Sequence, residues 1–325
     1  MPQSHPIDLP DPEAVDPELQ RLLILVHDVQ QPNLTSMTPA DARAWSRRFL
    51  DPHQPRRPVA RVLEQSFPGP GGDVPIRLYH PKPGTMLPTL VFFHGGGWVL
   101  GDLDAADESM RRIATDAACL VISVDYRLAP ESPYPAAVED AIAAVAWSAT
   151  HAEEFGGDPT RLAVGGDSAG GNLAAVAAID DRDSGAGQIS FQFLVYPVTD
   201  ADFNRPSMFQ FAEKLLLERQ AMSWFWNHYC PDLASRKNWN ASPVRTPDLS
   251  GLAPAFIHLA AHDPLFDEGC EFARRLQEAG VRTELRIAPT MVHGFFGLAE
   301  VSKAADREIQ EACRILQHEL HALSD

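Results

Sequence analysis

A serine with two nearby glycines is the clearest chemical signal in the sequence. Residues 166–170 read GDSAG, so Ser168 stands two positions from Gly166 and from Gly170. The pattern Gly-x-Ser-x-Gly is typical of a tight strand-to-helix turn that exposes a serine hydroxyl. An apolar run at 162–164 precedes it, and an alanine-rich stretch follows. We therefore predict that Ser168 is a nucleophile; the alternative is a serine that caps a helix in a glycine-rich turn.

A serine hydroxyl becomes a good nucleophile only when a base takes its proton and an acid orients that base. Asp263 follows the apolar run at 255–259, and His293 follows the alternating run at 283–287. Both are therefore expected at the carboxyl ends of strands, the edge of a parallel sheet where Ser168 is also expected. This placement predicts a triad of Ser168, His293 and Asp263.

Other ionisable residues compete for the roles of base and acid. His262 adjoins Asp263 and is the strongest alternative base, but it occupies the place of the acid in the series. Three groups of candidates remain. His258 is predicted to pack within a strand, and His318 and His321 are predicted to lie on a solvated last helix. Asp267 and Glu268 are predicted to begin a helix.

A run of glycines predicts the electrostatic part of the site. Residues 94–98 read HGGGW and directly follow the apolar run at 90–93. Attack on an ester carbonyl creates an oxyanion, which backbone N–H groups fixed in place stabilise. A glycine run lets the backbone approach the nucleophile closely. We predict that the N–H groups of Gly95, Gly96 and Ala169 form this oxyanion hole.

The glycine run could also be a plain loop or a phosphate cradle. A phosphate-binding loop would need a Lys and a Ser or Thr after the glycines, and Trp98 and Val99 stand there instead. His94 could serve as a base or a metal ligand, but we expect it to hold the loop through side-chain hydrogen bonds. We predict no metal site and no cofactor.

Apolar runs alternate with helix-like stretches along most of the chain, which predicts an α/β fold with a mostly parallel sheet covered on both faces. A hairpin signal around residues 68–72 makes this sheet mixed. Eight strands are predicted at 60–67, 74–80, 90–93, 120–124, 162–164, 191–195, 256–259 and 283–287. The helix-like stretches lie at 105–117, 135–150, 169–180, 267–279 and 300–322.

Two regions stand outside this alternation and predict a helical cap. Apolar residues recur at helical spacing over 16–30, and residues 38–41 read TPAD, a helix start. An aromatic insertion at about 203–239 interrupts the strand series; it is predicted to be a lid, and the alternative is a helix pair packed on the flank. The predicted division is residues 1–55 as N-terminal cap helices and 56–325 as the catalytic domain that carries the insertion.

The charge of the chain argues against some classes of partner. The sequence has 325 residues and a formal net charge of −17, from 44 acidic and 27 basic side chains. Such an acidic surface repels phosphate backbones and anionic lipid heads. We therefore expect no nucleic-acid partner and no stable membrane association. No signal peptide and no run long enough to span a bilayer is predicted.

The cysteines predict a reducing compartment. Four are scattered along the chain, and no two have metal-ligand spacing: Cys119, Cys230, Cys270 and Cys313. Disulfides are rare in the cytoplasm because it is kept reducing. We expect four free, mostly buried thiols in a cytoplasmic protein.

Six motifs in this order resemble those of the bacterial hormone-sensitive-lipase-like esterases, over roughly residues 16 to 318. They are HGGGW at 94–98, VDYRLAPE at 124–131, PYPAA at 133–137, GDSAGGNL at 166–173, DPL at 263–265 with DEG at 267–269, and HGF at 293–295. His262 and Phe266 depart from the residues usual in the family, which affects the expected substrate preference rather than the reaction.

The resemblance implies an α/β-hydrolase fold with a helical cap. It also implies hydrolysis of short- to medium-chain acyl esters without a cofactor, through the triad and oxyanion donors named above. The expected partner is therefore a small-molecule ester. Members of the family often form homodimers through an edge strand, so a homodimer through 283–287 is a further expectation.

Three other functions use a similar set of motifs. A ligand receptor on this fold would have lost catalytic residues, and the presence of His293 counts against it. An amidase, or an esterase tuned to one metabolite, would share the same triad. A lipase acting on long-chain emulsions is less favoured, because the sequence gives no sign of a large exposed apolar surface.

Overall fold

Eight strands form one sheet in the computed structural model, which describes residues 14–28, 34–50 and 56–322. The strands are β1 (Arg61–Gly69), β2 (Gly72–His80), β3 (Leu87–Phe93), β4 (Leu120–Val124), β5 (Gly157–Asp167), β6 (Ile189–Val195), β7 (Ala255–His262) and β8 (Thr283–Val292). Their spatial order is β1-β2-β4-β3-β5-β6-β7-β8. The predicted number of strands is confirmed.

The sheet is mixed, as predicted from the leading hairpin. β1 pairs antiparallel with β2, and β2 pairs antiparallel with β4. From β4 to β8 every pairing is parallel. In the hairpin, Gly69 pairs with Gly72, so the connection has only two residues. Both hairpin strands therefore extend further toward the turn than the predicted ranges.

Helices cover both faces of the sheet. They are α1 (Pro17–Asp28), α2 (Pro39–Leu50), α3 (Leu103–Asp116), α4 (Ala136–His151), α5 (Ala169–Ser184), α6 (Pro206–Gln210), α7 (Arg219–Tyr229), α8 (Phe266–Glu278) and α9 (Lys303–Ala322). Buried side chains form two clusters. The first contains Val91, Val164 and Leu173, and the second contains Phe92, Ala163 and Phe193. Neighbouring residues of β3 and of β5 thus belong to different clusters, because successive side chains of a strand point to opposite faces.

The strand-to-helix turn that carries Ser168 lies at the centre of the sheet. β5 lies between β3 and β6, and α5 begins two residues after β5 ends. α5 is almost entirely buried, and its many alanine and glycine residues let its backbone lie close to the strands beneath it. Ser168 is the single residue between the two elements, at the carboxyl edge of the sheet.

The N-terminal helices form as the sequence predicts. At the start of α2, the Thr38 hydroxyl donates to Asp41 Oδ2 over 2.7 Å, and the Asp41 N–H donates to Thr38 Oγ1 over 3.2 Å. Thr38 therefore caps α2 as the first residue of a capping box does, but the Asp41 carboxylate accepts from the Thr38 hydroxyl and not from its backbone N–H. The start of α1 contacts the start of α9, because Ser302 Oγ donates to Asp16 Oδ1 over 2.9 Å.

The aromatic insertion contains α6, α7 and a short 3-10 turn at Ser235–Lys237. Tyr229, at the end of α7, stacks on Trp98 with ring centroids 4.0 Å apart. Trp226 meets Trp98 edge-on at 4.9 Å. The insertion therefore packs on the loop that follows β3.

All four cysteines are free and buried, as predicted. Among the described residues, no helix is both long enough and apolar enough to cross a bilayer.

Candidate active site

Ser168 occupies a backbone conformation that few residues other than glycine adopt. Its φ is 55° and its ψ is −117°, which is strained for a residue with a Cβ. Strain of this kind persists where the surrounding structure holds it, and it is common at functional sites. The turn aims the hydroxyl away from the sheet, at the amino end of α5.

The glycines on either side of Ser168 are required by space. A Cβ on Gly166 would lie 2.3 Å from the carbonyl carbon of Gly170, and a Cβ on Gly170 would lie 1.9 Å from the Phe93 carbonyl oxygen. Both distances are far below contact between backbone atoms. The two glycines of the motif thus have a direct steric cause.

The structure brings Ser168, His293 and Asp263 together in one hydrogen-bonded chain. His293 Nε2 lies 2.9 Å from Ser168 Oγ, and His293 Nδ1 lies 2.6 Å from Asp263 Oδ2. Asp263 Oδ1 accepts a further hydrogen bond from the Leu265 N–H over 2.8 Å. A carboxylate facing Nδ1 favours the tautomer with its proton there, so Nε2 is left free to accept the serine proton.

Neighbouring strands position the acid and the base. Asp263 is the first residue after β7, and His293 is the first residue after β8. β7 and β8 are parallel neighbours, so their carboxyl ends meet at the same edge of the sheet as the end of β5. The predicted placement of both residues is confirmed.

The competing acids serve other contacts. Asp267 Oδ2 accepts a hydrogen bond from the Ser207 N–H over 2.7 Å. Glu268 Oε1 accepts from the N–H groups of Thr199 and Asp200, and complete burial raises the pKa of this carboxyl well above its usual value. Both lie in the first turn of α8, as the sequence predicts.

The competing histidines make other contacts. The His262 ring faces Phe211 edge-on, with centroids 5.6 Å apart. His258 is buried in β7, and its Nε2 lies 3.1 Å from Glu308 Oε2. In the part of the chain that the structure describes, His293 is the histidine that contacts Ser168.

The glycine loop corrects one part of the predicted oxyanion hole. The Gly95 N–H donates to Asp167 Oδ1 over 2.7 Å. A Cβ on Gly95 would lie 2.3 Å from Asp167 Oδ2, so the carboxylate presses directly on this residue. Because its N–H is already engaged, Gly95 is not available as a donor to an oxyanion in this structure.

Gly96 and Ala169 remain available from the predicted set. Within the described residues, neither N–H has a hydrogen-bond acceptor, and the same holds for the N–H of Gly97. Gly96 has a φ of 114° and Gly97 a φ of 61°. These are conformations that favour glycine, so the loop can follow this backbone path only with this composition.

Asp167 is a residue of this site that the motif alone does not reveal. It fills the variable second position of the GDSAG motif, which carries no signal of its own. Burial raises the pKa of its carboxyl, while His94 and the Gly95 N–H act in the opposite direction. Its contact with Gly95 links the serine turn directly to the glycine loop.

His94 holds the glycine loop, as predicted. Its Nδ1 lies 2.7 Å from the Gly95 carbonyl oxygen, and its ring stacks on Tyr126 with centroids 4.4 Å apart. The Tyr126 hydroxyl donates to the His94 carbonyl oxygen over 2.7 Å. These contacts fix the backbone on the amino side of Gly96.

A cavity of about 220 Å³ opens beside the serine turn. Its wall includes glycines of the loop, residues that flank the triad, residues of α3 and one residue of α2; among them are Gly96, Asp167, Phe296, Met110 and Ser46. The lining is mainly apolar, with few polar groups, which is typical of a site for a small organic ligand.

The insertion closes the glycine loop from above. A Cβ on Gly97 would lie 2.2 Å from the Phe225 ring of α7, so the ring rests directly on the loop backbone.

Across the described residues, no group of three His, Cys, Asp or Glu side chains is arranged to hold a metal ion.

The sequence matches one protein family, described as α/β hydrolase fold, over residues 90–297. A carboxylesterase of Mycobacterium tuberculosis, NlhH, is 41% identical over 318 residues, which cover 96% of this chain and 99% of that protein. The carboxylic ester hydrolase LipN of the same organism is 45% identical over 262 residues, covering 78% of this chain and 70% of its own.

Solved structures of esterases share the fold. A thermostable esterase from Pseudomonas putida superimposes with a TM-score of 0.91 at 35% identity, covering 94% of this chain and 98% of its own. An ester hydrolase from the metagenome of Lake Arreo gives a TM-score of 0.89 at 39% identity, covering 93% and 98%. These matches confirm the resemblance that the six sequence motifs predict.

Proposed function

The chain belongs to the α/β-hydrolase fold family and is a carboxylic ester hydrolase; from this premise we propose that Ser168, His293 and Asp263 are its catalytic triad, acting on short- to medium-chain acyl esters. The observation that carries the proposal is the unbroken chain of hydrogen bonds from Ser168 Oγ through the His293 ring to Asp263.

In the first half of the reaction, Ser168 Oγ attacks the ester carbonyl carbon while His293 Nε2 takes the hydroxyl proton. Asp263 stabilises the imidazolium that forms and keeps the ring oriented. The tetrahedral intermediate then collapses, and the bond to the alcohol oxygen breaks. His293 gives its proton to the leaving alcohol, so the acyl group remains as an ester on Ser168.

Water completes the cycle in the second half. His293 Nε2 takes a proton from a water molecule, whose oxygen attacks the carbonyl carbon of the acyl-enzyme. Collapse of the second tetrahedral intermediate breaks the bond to Ser168 Oγ, which recovers its proton from His293. The products are one carboxylic acid and one alcohol.

The N–H groups of Gly96 and Ala169 are the proposed donors to the oxyanion. Within the described residues, neither N–H donates to a protein acceptor. Ala169 directly follows Ser168, and Gly96 directly follows Gly95 in the glycine loop. The N–H of Gly97 is a further candidate on the same ground. Removing one such donor typically raises the barrier by about 3 kcal/mol.

The size of the cavity supports small substrates. Its volume of about 220 Å³ lies below the range of roughly 300–1,000 Å³ usual for sites that enclose drug-sized ligands. An ester with a long acyl chain would therefore have to leave part of the chain outside. We also propose that the N-terminal helices and the insertion at about 203–239 together form a cap over this site.

The test is hydrolysis of p-nitrophenyl esters from acetate to palmitate by the purified wild type and Ser168→Ala. We expect the rate to be highest for short or medium acyl chains and to disappear in the variant. Equal thermal unfolding of the two proteins would exclude a folding defect. Wild-type turnover by Ser168→Ala would overturn the assignment of the nucleophile.

Amide hydrolysis and assembly can be tested with the same protein. A p-nitroanilide series separates an amidase from an esterase, since both would use the triad. The expected homodimer would pair two copies along β8, which lies at the edge of the sheet. Light scattering during size exclusion measures the mass that distinguishes a dimer from a monomer.

A further inference from the structure

One arginine of the cap helix α2 is bonded to the loop that carries the proposed oxyanion donors. Arg43 Nε donates to the Val99 carbonyl oxygen over 2.7 Å, and Arg43 Nη2 donates to the Ala129 carbonyl oxygen over 2.8 Å. The guanidinium also pairs with both carboxylate oxygens of Glu131, over 2.8 and 2.7 Å. Arg43 thus joins α2 to two separate core segments.

These contacts depend on the shape of the guanidinium. A planar fork can donate to two carbonyl oxygens and to a carboxylate at the same time, whereas a lysine ammonium has one donor centre. Glu131 is exposed and by itself would contribute little. The two carbonyl acceptors are the contacts that fix where α2 lies.

Val99 connects Arg43 to the oxyanion donors. The N–H groups of Val99 and Leu100 both donate to the Gly96 carbonyl oxygen, over 3.1 and 2.8 Å. Movement of the Val99 backbone would therefore also move Gly96. Arg43 holds this turn from the side of the cap.

Ser46 lies one helical turn after Arg43 and forms part of the cavity wall. Residues three apart on a helix share a face, so the face that Arg43 fastens to the loop also presents Ser46 to the cavity. Met110 of α3 lies in the wall of the same cavity and is fully buried. The cap and the core therefore enclose this space together.

We propose that α2 is a fixed wall of the substrate cavity. In this wall Arg43 is a positioning residue, and Ser46 limits the size of either the acyl or the alcohol part of the ester. This inference rests on the proposed function, because it assigns the cavity to the ester that Ser168 attacks. The bonds of Arg43 keep α2 in place during turnover, so the wall sets selectivity without having to open.

Ser46→Leu tests the wall, with Ala44→Leu as the matched control. Ala44 is exposed on the same helix and is two residues away, so it points in another direction. Each variant is assayed on two ester series, one in which acyl length varies and one in which the alcohol varies. In at least one series we expect Ser46→Leu to lower kcat/KM for the largest substrate about tenfold relative to the smallest, a change of about 1.4 kcal/mol. Ala44→Leu should keep the wild-type ratio.

Arg43→Lys tests the positioning role. The variant keeps the charge but cannot reach both carbonyl oxygens, so Gly96 and Ser46 should both lose their fixed positions. We expect kcat on the smallest ester to fall about tenfold, since small misplacements of catalytic groups are costly, and the size preference to broaden. A purely structural role would lower the unfolding temperature and leave the preference unchanged. Arg21→Lys, on the exposed surface of α1, is the control.

The outcomes separate this inference from the proposed function. Hydrolysis that depends on Ser168, with size ratios in Ser46→Leu equal to those in Ala44→Leu, would overturn the wall and leave the triad standing. Wild-type kcat and preference in Arg43→Lys would overturn the positioning role. Absence of any Ser168-dependent hydrolysis in the wild type would overturn the proposed function and the wall with it.

Discussion

Gly170 is the most tightly confined glycine of the site. The Phe93 carbonyl oxygen that a Cβ would meet belongs to the end of β3, and His94 lies directly beyond it. The atoms that a Cβ would meet in Phe93 and His94 are backbone atoms. The contact therefore cannot be relieved without moving β3 or the glycine loop. The serine turn and the glycine loop are therefore packed as a unit.

Gly170→Ala should consequently lower the free energy of unfolding by about 3 kcal/mol or more, at the upper end of overpacking effects. Urea unfolding followed by circular dichroism measures this. Gly297→Ala is the control, because nothing lies within 4 Å of a Cβ at that position. A loss in Gly170→Ala no larger than in the control would contradict the packing argument.

Asp167 gives a second prediction about single residues. Replacing it by alanine frees the Gly95 N–H and removes the link between the serine turn and the glycine loop, so kcat should fall about tenfold or more. Asparagine keeps an oxygen that can accept the Gly95 N–H and should retain most of the activity. The measurement is kcat on a short-chain ester. Equal loss in both variants would assign the effect to the charge instead of the hydrogen bond.

The sequence predicts residues whose signal is local and misses those whose role depends on distant contacts. Ser168 is recognisable because its glycines are demanded by its own turn. Asp263 and His293 are recognisable because each directly follows a strand. The engagement of Gly95 is not recognisable, because its partner Asp167 lies 72 positions away. Spacing alone cannot tell which N–H groups of a glycine run are already bonded.

Among the elements, the last helix has one carboxylate that bonds to two strands of the sheet. Glu308 of α9 bonds to His258 of β7 over 3.1 Å and to Arg286 of β8 over 2.8 Å. These partners outweigh the effect of burial and lower the pKa of Glu308 to about 2. For His258, burial is the strongest influence, and it lowers the pKa of the ring.

The sign of the pH dependence follows from these directions. A carboxyl whose pKa is lowered on folding contributes stability above its unfolded pKa, and this contribution is lost as the pH falls through the folded value. For Glu308 the loss begins below about pH 4.5, the usual pKa of a glutamate, and continues toward about pH 2. A buried histidine with a lowered pKa acts in the same direction, because its unfolded form takes up a proton first.

Glu308→Gln should therefore be less stable than the wild type at neutral pH, and the difference should shrink as the pH falls toward about 3. Urea unfolding at both pH values measures the two free energies. Glu311→Gln on the same helix is the control, because Glu311 pairs with Arg314 on the surface and such pairs contribute little. A difference that is constant with pH would contradict the role given to Glu308.

Element bounds were predictable only where the apolar pattern is regular. The core of β5 was predicted at 162–164, whereas the strand covers Gly157–Asp167. Its pairing with β3 shifts register at Pro88 and Thr89, which lets polar residues extend the strand. β8 likewise continues beyond its predicted end, past a register shift in its pairing with β7. The attachment of α2 through Arg43 could not be predicted, because its acceptors are backbone atoms of distant loops.

At the scale of the whole molecule, the thiols are shielded from solvent. Burial raises the pKa of both Cys270 and Cys313 to about 12 and raises that of Cys119 further. The thiolate is the reactive form of cysteine, so buried thiols with raised pKa values react slowly. Cys230 is also buried, and its pKa is raised for the same reason.

The native protein should therefore give almost no reaction with Ellman's reagent, and denaturant should release all four thiols. Counting the thiols before and after unfolding checks this. Esterase activity should likewise be insensitive to thiol-modifying reagents and to added reductant. Rapid modification of the folded protein would contradict the burial of these side chains.

The contact between the start of α1 and the start of α9 has a consequence for biosynthesis. Ser302 donates to Asp16, and the Lys303 N–H, at the start of α9, donates to Glu18 over 2.8 Å. The segment of α1 therefore leaves the ribosome long before the start of α9 is made. Leu19 and Leu23 are buried in a cluster that also contains side chains of α9, so this cluster is complete only when the last helix is present. A chain interrupted before α9 would leave the apolar side chains of this cluster incompletely covered, which makes unfinished copies recognisable to chaperones and proteases.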